Sequence, residues 1–340
     1  MPPELLFTED YSYLSRTSVS WCNHARKFSD DACERLSLDS SSRVLEIASN
    51  DGYLLQYFNE KGIPNLGIEP TKIAAKAAES IGVRTLRCFF GSKTAERLEP
   101  ADLVVANNVL AHVPDINDFI EGLSRVLKPN GSISLEFQYL LTLIEGNQFD
   151  TIYHEHFSYL SLSVVNRIVG KYGLAVTDVE KLCTQGGSLR VWLQHESQVM
   201  PSNAVFQMLQ DEEDFGLETL KVFANFQERA SSAALGLTEF LVNQARTGRQ
   251  VIGYGAAAKG NTLLNYAGIT RDMLPAVCDK APSKQGKYLP GTHIPIISVS
   301  EFEKINPEMV LLLPWNLLSE ISSEWPDKKF ATAIPSLQVR

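Results

Sequence analysis

The chain has 340 residues, 44% of them hydrophobic and 21% charged, which is globular composition at a length that predicts two domains. Its formal net charge is −9 with no basic block, so nucleic acid is not expected as a partner, because phosphate binding needs clustered Lys and Arg. Five isolated cysteines without a Cys-x-x-Cys pair, no apolar run long enough for a bilayer, and no signal-peptide pattern over 1–13 predict a cytoplasmic chain with no structural metal, disulfide framework or membrane partner.

In chain order, Arg43-Val44-Leu45-Glu46-Ile47-Ala48 predicts a first strand running into Ser49-Asn50-Asp51-Gly52. Tyr53, Leu54, Leu55, Tyr57 and Phe58 follow at helical spacing. Strand, glycine-containing turn and helix open a nucleotide-binding α/β unit. Strands are then predicted at 65–69 and 101–106, with a third segment at 85–90 and helices at 71–81 and 116–127. A turn at Lys128-Pro129-Asn130-Gly131 leads into a fifth strand at 132–137. Such alternation implies a parallel sheet covered on both faces. From Phe206 to Leu241 apolar residues recur at helical spacing and predict long helices. A second opening at 250–260, with strands at 276–279 and 309–313, predicts a smaller α/β domain.

The first candidate site lies where open α/β sheets bind ligands, outside the carboxyl ends of the strands. Glu46, Ser49, Asn50, Asp51, Gly52, Glu69 and Asn107 fall there. A carboxylate at the end of the second strand, Glu69, can accept from both ribose hydroxyls, and Gly52 lets backbone approach a ligand closely. The loop lacks the G-x-G-x-x-G glycines of dinucleotide enzymes, and Asp51 would repel a pyrophosphate. A cationic sulfonium without phosphates suits this acidic loop, so S-adenosylmethionine is the expected cofactor rather than NAD.

The second candidate is the aromatic-rich stretch from Phe149 to Leu160, where Glu155 and His156 are adjacent and suit proton transfer near neutral pH. Metal ligation by His154 and His156 is the competing reading, but the spacing is not that of H-E-x-x-H, and no metal is expected. An aromatic structural cluster is the other. His112, beyond the strand-four asparagines, is a further candidate, although a lone loop histidine is more often structural.

These residues resemble the sugar 3-C-methyltransferases of deoxysugar biosynthesis. The matching stretches include Tyr11-Ser12-Tyr13-Leu14-Ser15, Leu45-Glu46-Ile47-Ala48-Ser49-Asn50-Asp51-Gly52-Tyr53, Gly67-Ile68-Glu69-Pro70 and Asn107-Asn108-Val109-Leu110-Ala111-His112. Tyr153-His154-Glu155-His156-Phe157-Ser158-Tyr159, Gly186-Gly187-Ser188-Leu189-Arg190, Gly253 to Asn261 and Lys284-Gln285-Gly286 continue the match over nearly the whole chain. The family begins with a small zinc domain of paired cysteines, which this sequence lacks, so zinc is not expected.

The resemblance implies a Rossmann-like methyltransferase domain and a second Rossmann-like α/β domain joined by helices. Its division is 1–40 packing over the active site, 41–199 binding S-adenosylmethionine, 200–247 connecting, and 248–340 holding the nucleotide part of the substrate. The implied substrate is a 4-keto-deoxysugar on a nucleoside diphosphate, commonly dTDP. His156 would remove the C3 proton with Glu155 tuning it. Tyr153 and His112 would stabilise negative charge at the C4 oxygen. Tyr11 or Tyr13 would close over the sugar. Lys259, Asn261, Lys284, Gln285 and Tyr288 are the expected nucleotide-binding residues, with Lys259 at a helix N-terminus that favours an anion. The alternatives are an O- or N-methyltransferase on a sugar or polyketide, and a non-catalytic S-adenosylmethionine-binding protein. Which sugar is used, and the oligomeric state, stay open.

Overall fold

The computed structural model describes residues 3–8, 11, 13–196 and 200–340; Ser12 of the N-terminal match lies outside them. The chain forms two compact units, 1–140 with 155–214 and 141–154 with 215–340. Both are α/β, as the strand–helix alternation implies.

The first unit is built on β1 (Val44–Ile47), β2 (Asn65–Ile68), β3 (Thr85–Leu86), β4 (Ala101–Asn107), β5 (Leu127–Gln138), β6 (Leu174–Leu182) and β7 (Ser188–His195). They lie in the order β3-β2-β1-β4-β5-β7-β6. The strands from β3 to β5 are parallel, while β7 runs antiparallel to both β5 and β6. All four residues of β1 are buried, as expected for a central strand covered on both faces. Helix Ile116–Val126 covers the sheet with Phe119, Ile120, Leu123 and Val126, one stripe at helical spacing. Its start is fixed by Asp115, whose carboxylate accepts from the Asp118 N–H at 3.0 Å.

The hairpin β6–β7 and the helix Val19–Leu36 are not announced by the strand–helix alternation. The helix is capped by Ser18 and buries Ala25, Phe28 and Ala32 in a core shared with Tyr53, Leu54, Phe58 and Trp192. The predicted turn at 128–131 is a bulge inside β5. Ala101 pairs with Leu127 and Leu103 with Ser132, so the extra residues loop out of the ladder between two paired positions. Lys128 pins the bulge to Asp102 at 2.7 Å.

The second unit carries β8 (Val251–Tyr254), β9 (Val277–Cys278), β10 (Ile296–Ile297), β11 (Met309–Leu312), β12 (Lys329–Thr332) and β13 (Gln338–Val339). Their order is β10-β9-β8-β11-β12-β13, parallel except for β13. Residues 200–247 are divided between the units. Helix Asn203–Phe215 lies with the first, where Glu212 accepts from Leu162 N at 2.5 Å and Ser163 N at 2.9 Å. Helix Leu220–Arg246 lies with the second, burying Ala230, Ala233, Leu237 and Leu241 in its core. Phe149 joins that core, and Asn147 Nδ2 donates to the Pro335 carbonyl at 2.8 Å, so 141–154 is built into the second unit. The chain returns to the first at Glu155.

Candidate active site

Parallel pairing aligns the carboxyl ends of β1, β2 and β4 and brings most of the first set of expected residues to one edge. Glu46 is the penultimate residue of β1 and fully buried; neither of its carboxylate oxygens has a hydrogen-bond partner. Burial pushes its pKa well above the usual carboxylate range, against the lowering influence of the nearby Tyr53 hydroxyl and with the negative Asp51 and Glu69 adding to the rise. Glu69 follows β2 with its oxygens turned to the loops: Oε2 accepts from Asn50 N at 3.0 Å, and Oε1 from Thr71 N at 2.8 Å and Thr71 Oγ1 at 2.6 Å. Burial raises its pKa in spite of these donors. Ser49 lies against Gly67 of β2, where a Cβ would meet its Oγ at 2.2 Å, and that Oγ is buried without a partner. Asn107 closes β4 beside the buried Tyr53 ring, and its Oδ1 is also unpartnered.

The loop 48–52 places Ala48, Asn50 and Gly52 at φ 56°, 50° and 77°. Two of these are side-chain-bearing residues held in the left-handed region, a strain that tends to gather at functional sites. Gly52 takes a left-handed φ that its residue type readily allows. The space a Cβ would take there is filled by Val83 at 3.0 Å, so the glycine provides the positive φ and close packing with the protein itself. Asn50 likewise spends its amide within the protein: Oδ1 accepts from Ser15 N at 2.9 Å and Nδ2 donates to the Tyr13 carbonyl at 3.0 Å. Asp51 accepts from Arg16 N at 3.0 Å through Oδ2, while its Oδ1 is buried and unpartnered. Residues 13–16 are thereby strapped across the loop.

The sequence reading missed the network behind this edge. Glu136 of β5, wholly buried, meets His24 at 2.9 Å, Arg190 at 3.0 Å and Thr184 at 2.9 Å. Burial alone would raise its pKa, but His24 and Arg190 outweigh it and hold the carboxylate below its usual range. A buried arginine in Gly186-Gly187-Ser188-Leu189-Arg190 was the available signal.

A second cluster lies in the same unit. The His112 and His156 rings meet edge to face at 4.8 Å, and Tyr159 stands 6.0 Å from His156. His156 is half-buried rather than sealed in the core. His112 Nδ1 lies 2.9 Å from the Glu155 carbonyl. A carbonyl only accepts, so Nδ1 carries the proton and Nε2 the lone pair in the neutral ring. Burial, with His156 adding to it, lowers the His112 pKa to about 4. Tyr11 donates to Glu155 Oε2 at 3.3 Å, and burial raises the Glu155 pKa against that bond. Tyr13, by contrast, is exposed. Tyr153 is half-buried and belongs to the second unit, so the stretch from Tyr153 to His156 is where the chain passes between units.

In the second unit, β9 brings Asp279 alongside the end of β8. Its Oδ2 accepts from Ala256 N at 2.8 Å, its Oδ1 from Ala281 N at 2.8 Å, and Lys284 pairs with it at 3.3 Å. Lys284 also donates to the Ala256 carbonyl, and Gln285 Nε2 to the Asp279 carbonyl at 2.9 Å. These two expected ligand residues therefore brace the loop. Asn261 accepts from the Asn265 side chain, and Tyr288 is exposed. Gly255, at φ 87°, leaves no room for a Cβ, which would stand 2.5 Å from Pro314; Gly260 is bound likewise by Leu313. Lys259 is the group left over. Its Nζ donates to Asn316 Oδ1 at 3.0 Å and lies 5.0 Å from the Trp315 ring centroid. Burial lowers its pKa, and nearby Asp150, held by the Trp315 indole at 2.8 Å, partly restores it. No side chain caps the Ala258–Tyr266 helix on which Lys259 sits.

Among the described residues, no group of three or more His, Cys, Asp or Glu side chains is placed to hold a metal ion. No helix of the described residues is long and apolar enough to cross a membrane. The unpartnered buried atoms of Glu46, Ser49, Asp51 and Asn107 fit a ligand carrying a cation and several hydrogen-bonding groups, as S-adenosylmethionine does.

Residues 21–179 match the methyltransferase domain family, and residues 183–334 match the C-methyltransferase C-terminal domain family. The chain is 35% identical over 326 residues to the C-methyltransferase NovU of Streptomyces niveus, covering 94% of this chain and 77% of that protein. It is 32% identical over 110 residues to a ubiquinone biosynthesis O-methyltransferase of Rhodopseudomonas palustris, covering 31% of this chain and 43% of that protein. The solved magnesium protoporphyrin IX methyltransferase of Synechocystis PCC 6803 superposes with a TM-score of 0.39 at 14% identity, over 49% of this chain and 82% of that one.

Proposed function

The chain belongs to the C-methyltransferase family and is an S-adenosylmethionine-dependent methyltransferase, and from that premise we propose that it methylates C3 of a nucleotide-linked 4-keto-deoxysugar. The observation that carries the proposal is the His112–His156 pair beside Glu155 and Tyr11. When bound, S-adenosylmethionine supplies a methyl group on a positively charged sulfur. A carbon acceptor has no lone pair and becomes nucleophilic only when a base removes its proton.

His156 takes the C3 proton, which the neighbouring ketone acidifies, leaving an enediolate on the sugar. Glu155 tunes that imidazole, and Tyr11 holds Glu155. The role first expected of His112 changes. Its proton is given to the Glu155 carbonyl and burial keeps the ring neutral, so it presents an acceptor nitrogen and cannot stabilise an oxyanion. Its part is to orient the 155–156 backbone and to accept a hydrogen bond, such as that of a sugar hydroxyl. Within the second unit, Lys259 and the uncapped start of its helix suit an anionic group such as a diphosphate.

The test is to incubate the protein with S-adenosylmethionine and a panel of 4-keto-deoxyhexoses on nucleoside diphosphates. The expected product carries a methyl carbon at the high-field position of a C-methyl in its NMR spectrum. In deuterated water, unreacted sugar exchanges its C3 hydrogen. An O-methyl product, or a methylated product that retains its original C3 hydrogen, overturns the reading.

A further inference from the structure

We propose that Arg16 binds the carboxylate of the methyl donor's amino-acid arm. Arg16 sits in the single helical turn Ser15–Thr17, in the strap across the cofactor loop. Its Nη1 is buried and has no hydrogen-bond partner. A guanidinium nitrogen removed from water with nothing to donate to is a costly arrangement, and bidentate pairing with a carboxylate is the interaction that its planar fork fits.

Asp51 does not supply that partner. Its Oδ2 takes the Arg16 backbone N–H at 3.0 Å, and although the Arg16 charge acts on that carboxylate, Arg16 Nη1 makes no hydrogen bond to it. Asp51 Oδ1 is instead a second buried atom left unpartnered. Arg16 Nη1 and Asp51 Oδ1 are thus each left without a hydrogen bond, and the Arg16 charge is close enough to act on the Asp51 carboxylate. The chemistry that satisfies both at once is a zwitterion, with a carboxylate for Arg16 and an ammonium for Asp51. The amino-acid arm of S-adenosylmethionine is such a group, and the proposal rests on that donor occupying this edge. The strap itself fixes the register. Ser15 N, Arg16 N and the Tyr13 carbonyl are all bonded to Asn50 or Asp51, so Arg16 is delivered to the loop by backbone contacts that do not involve its guanidinium.

Calorimetry of the whole chain tests this with two ligands, S-adenosylhomocysteine and 5′-methylthioadenosine, the second of which lacks the amino-acid arm. Arg16→Gln is expected to raise the Kd for S-adenosylhomocysteine about 10- to 100-fold and to leave that for 5′-methylthioadenosine within twofold. Arg16→Lys keeps the charge without the fork and is expected to fall between wild type and Arg16→Gln. Equal weakening of both ligands overturns the proposal, since Arg16 would then only hold the strap. Unchanged binding of S-adenosylhomocysteine also overturns it. A wild-type protein that binds neither ligand sinks the premise of the donor site itself, which is a separate result.

Discussion

At the carboxyl edge of the first sheet, Glu46, Ser49, Asp51 and Asn107 each keep a buried polar atom without a partner, whereas at the second sheet Asp279, Lys284 and Gln285 give theirs to one another and to the loop backbone. Each unmade bond costs about 1–3 kcal/mol in the free protein. The first edge is therefore unfinished until a ligand completes it. The acidic loop of the second is satisfied without one, which leaves the half-buried Lys259 and an uncapped helix start beside it. Two strand–loop–helix openings that read alike along the chain thus stand in opposite energetic conditions.

The largest expected effect separates chemistry at the histidine cluster from binding at the first edge. His156→Ala should lower kcat by about 10³-fold, the scale of a lost general base, with the Kd for S-adenosylhomocysteine within twofold of wild type. Quenched-flow assays and calorimetry on the same preparation measure the two. A cofactor affinity that collapses with kcat would merge the histidine cluster with the cofactor edge.

Next in size is a pH effect. His112 is held near a pKa of about 4 by burial, against 6.5 for the free residue. The unfolded chain therefore binds a proton over that window that the folded chain refuses. This contribution to stability is fully present above pH 6.5 and is lost as pH falls from 6.5 to about 4. It amounts to about 3 kcal/mol at 1.4 kcal/mol per tenfold change in proton affinity. Urea unfolding across pH 4–8 should show wild type losing that much more stability than His112→Asn on the acid side. Parallel curves would mean that His112 is solvated or paired in the folded state.

The second edge should respond in the opposite sense. Asp279→Ala removes an acceptor of two backbone N–H groups and is expected to cost about 2–3 kcal/mol of stability. S-adenosylhomocysteine affinity should stay within twofold. A large loss of cofactor binding here would erase the contrast between the edges.

Much of this was legible in the sequence because it is local. The β-branched run at 44–47, the glycine turn after it and the helical spacing from 55 onward place the first edge, and Gly253 to Gly260 place the second. What escaped depends on contacts distant along the chain. Asn50 looked like a cofactor ligand, but its amide is taken by a strap 35 residues away. Gln285 is bound to the carbonyl of Asp279, and no spacing rule distinguishes that from an outward-facing amide. Arg16 went unnoticed because a single arginine on a polar segment carries no pattern. Only the burial of its Nη1 without a hydrogen bond marks it.

Ser49→Ala carries the smallest change and the clearest logic. The Ser49 hydroxyl is buried against Gly67 with no partner, so its removal takes away a desolvated dipole and creates almost no cavity. The free protein should be as stable as wild type or more stable by about 1 kcal/mol, which thermal unfolding resolves. If the hydroxyl is kept for a ligand, S-adenosylhomocysteine should bind about 5- to 10-fold more weakly to the same variant, the value of one neutral hydrogen bond. Stability and affinity would then move in opposite directions. A fall in both would show that Ser49 has a structural partner after all, and an unchanged affinity would remove it from the ligand's reach while leaving its cost unexplained.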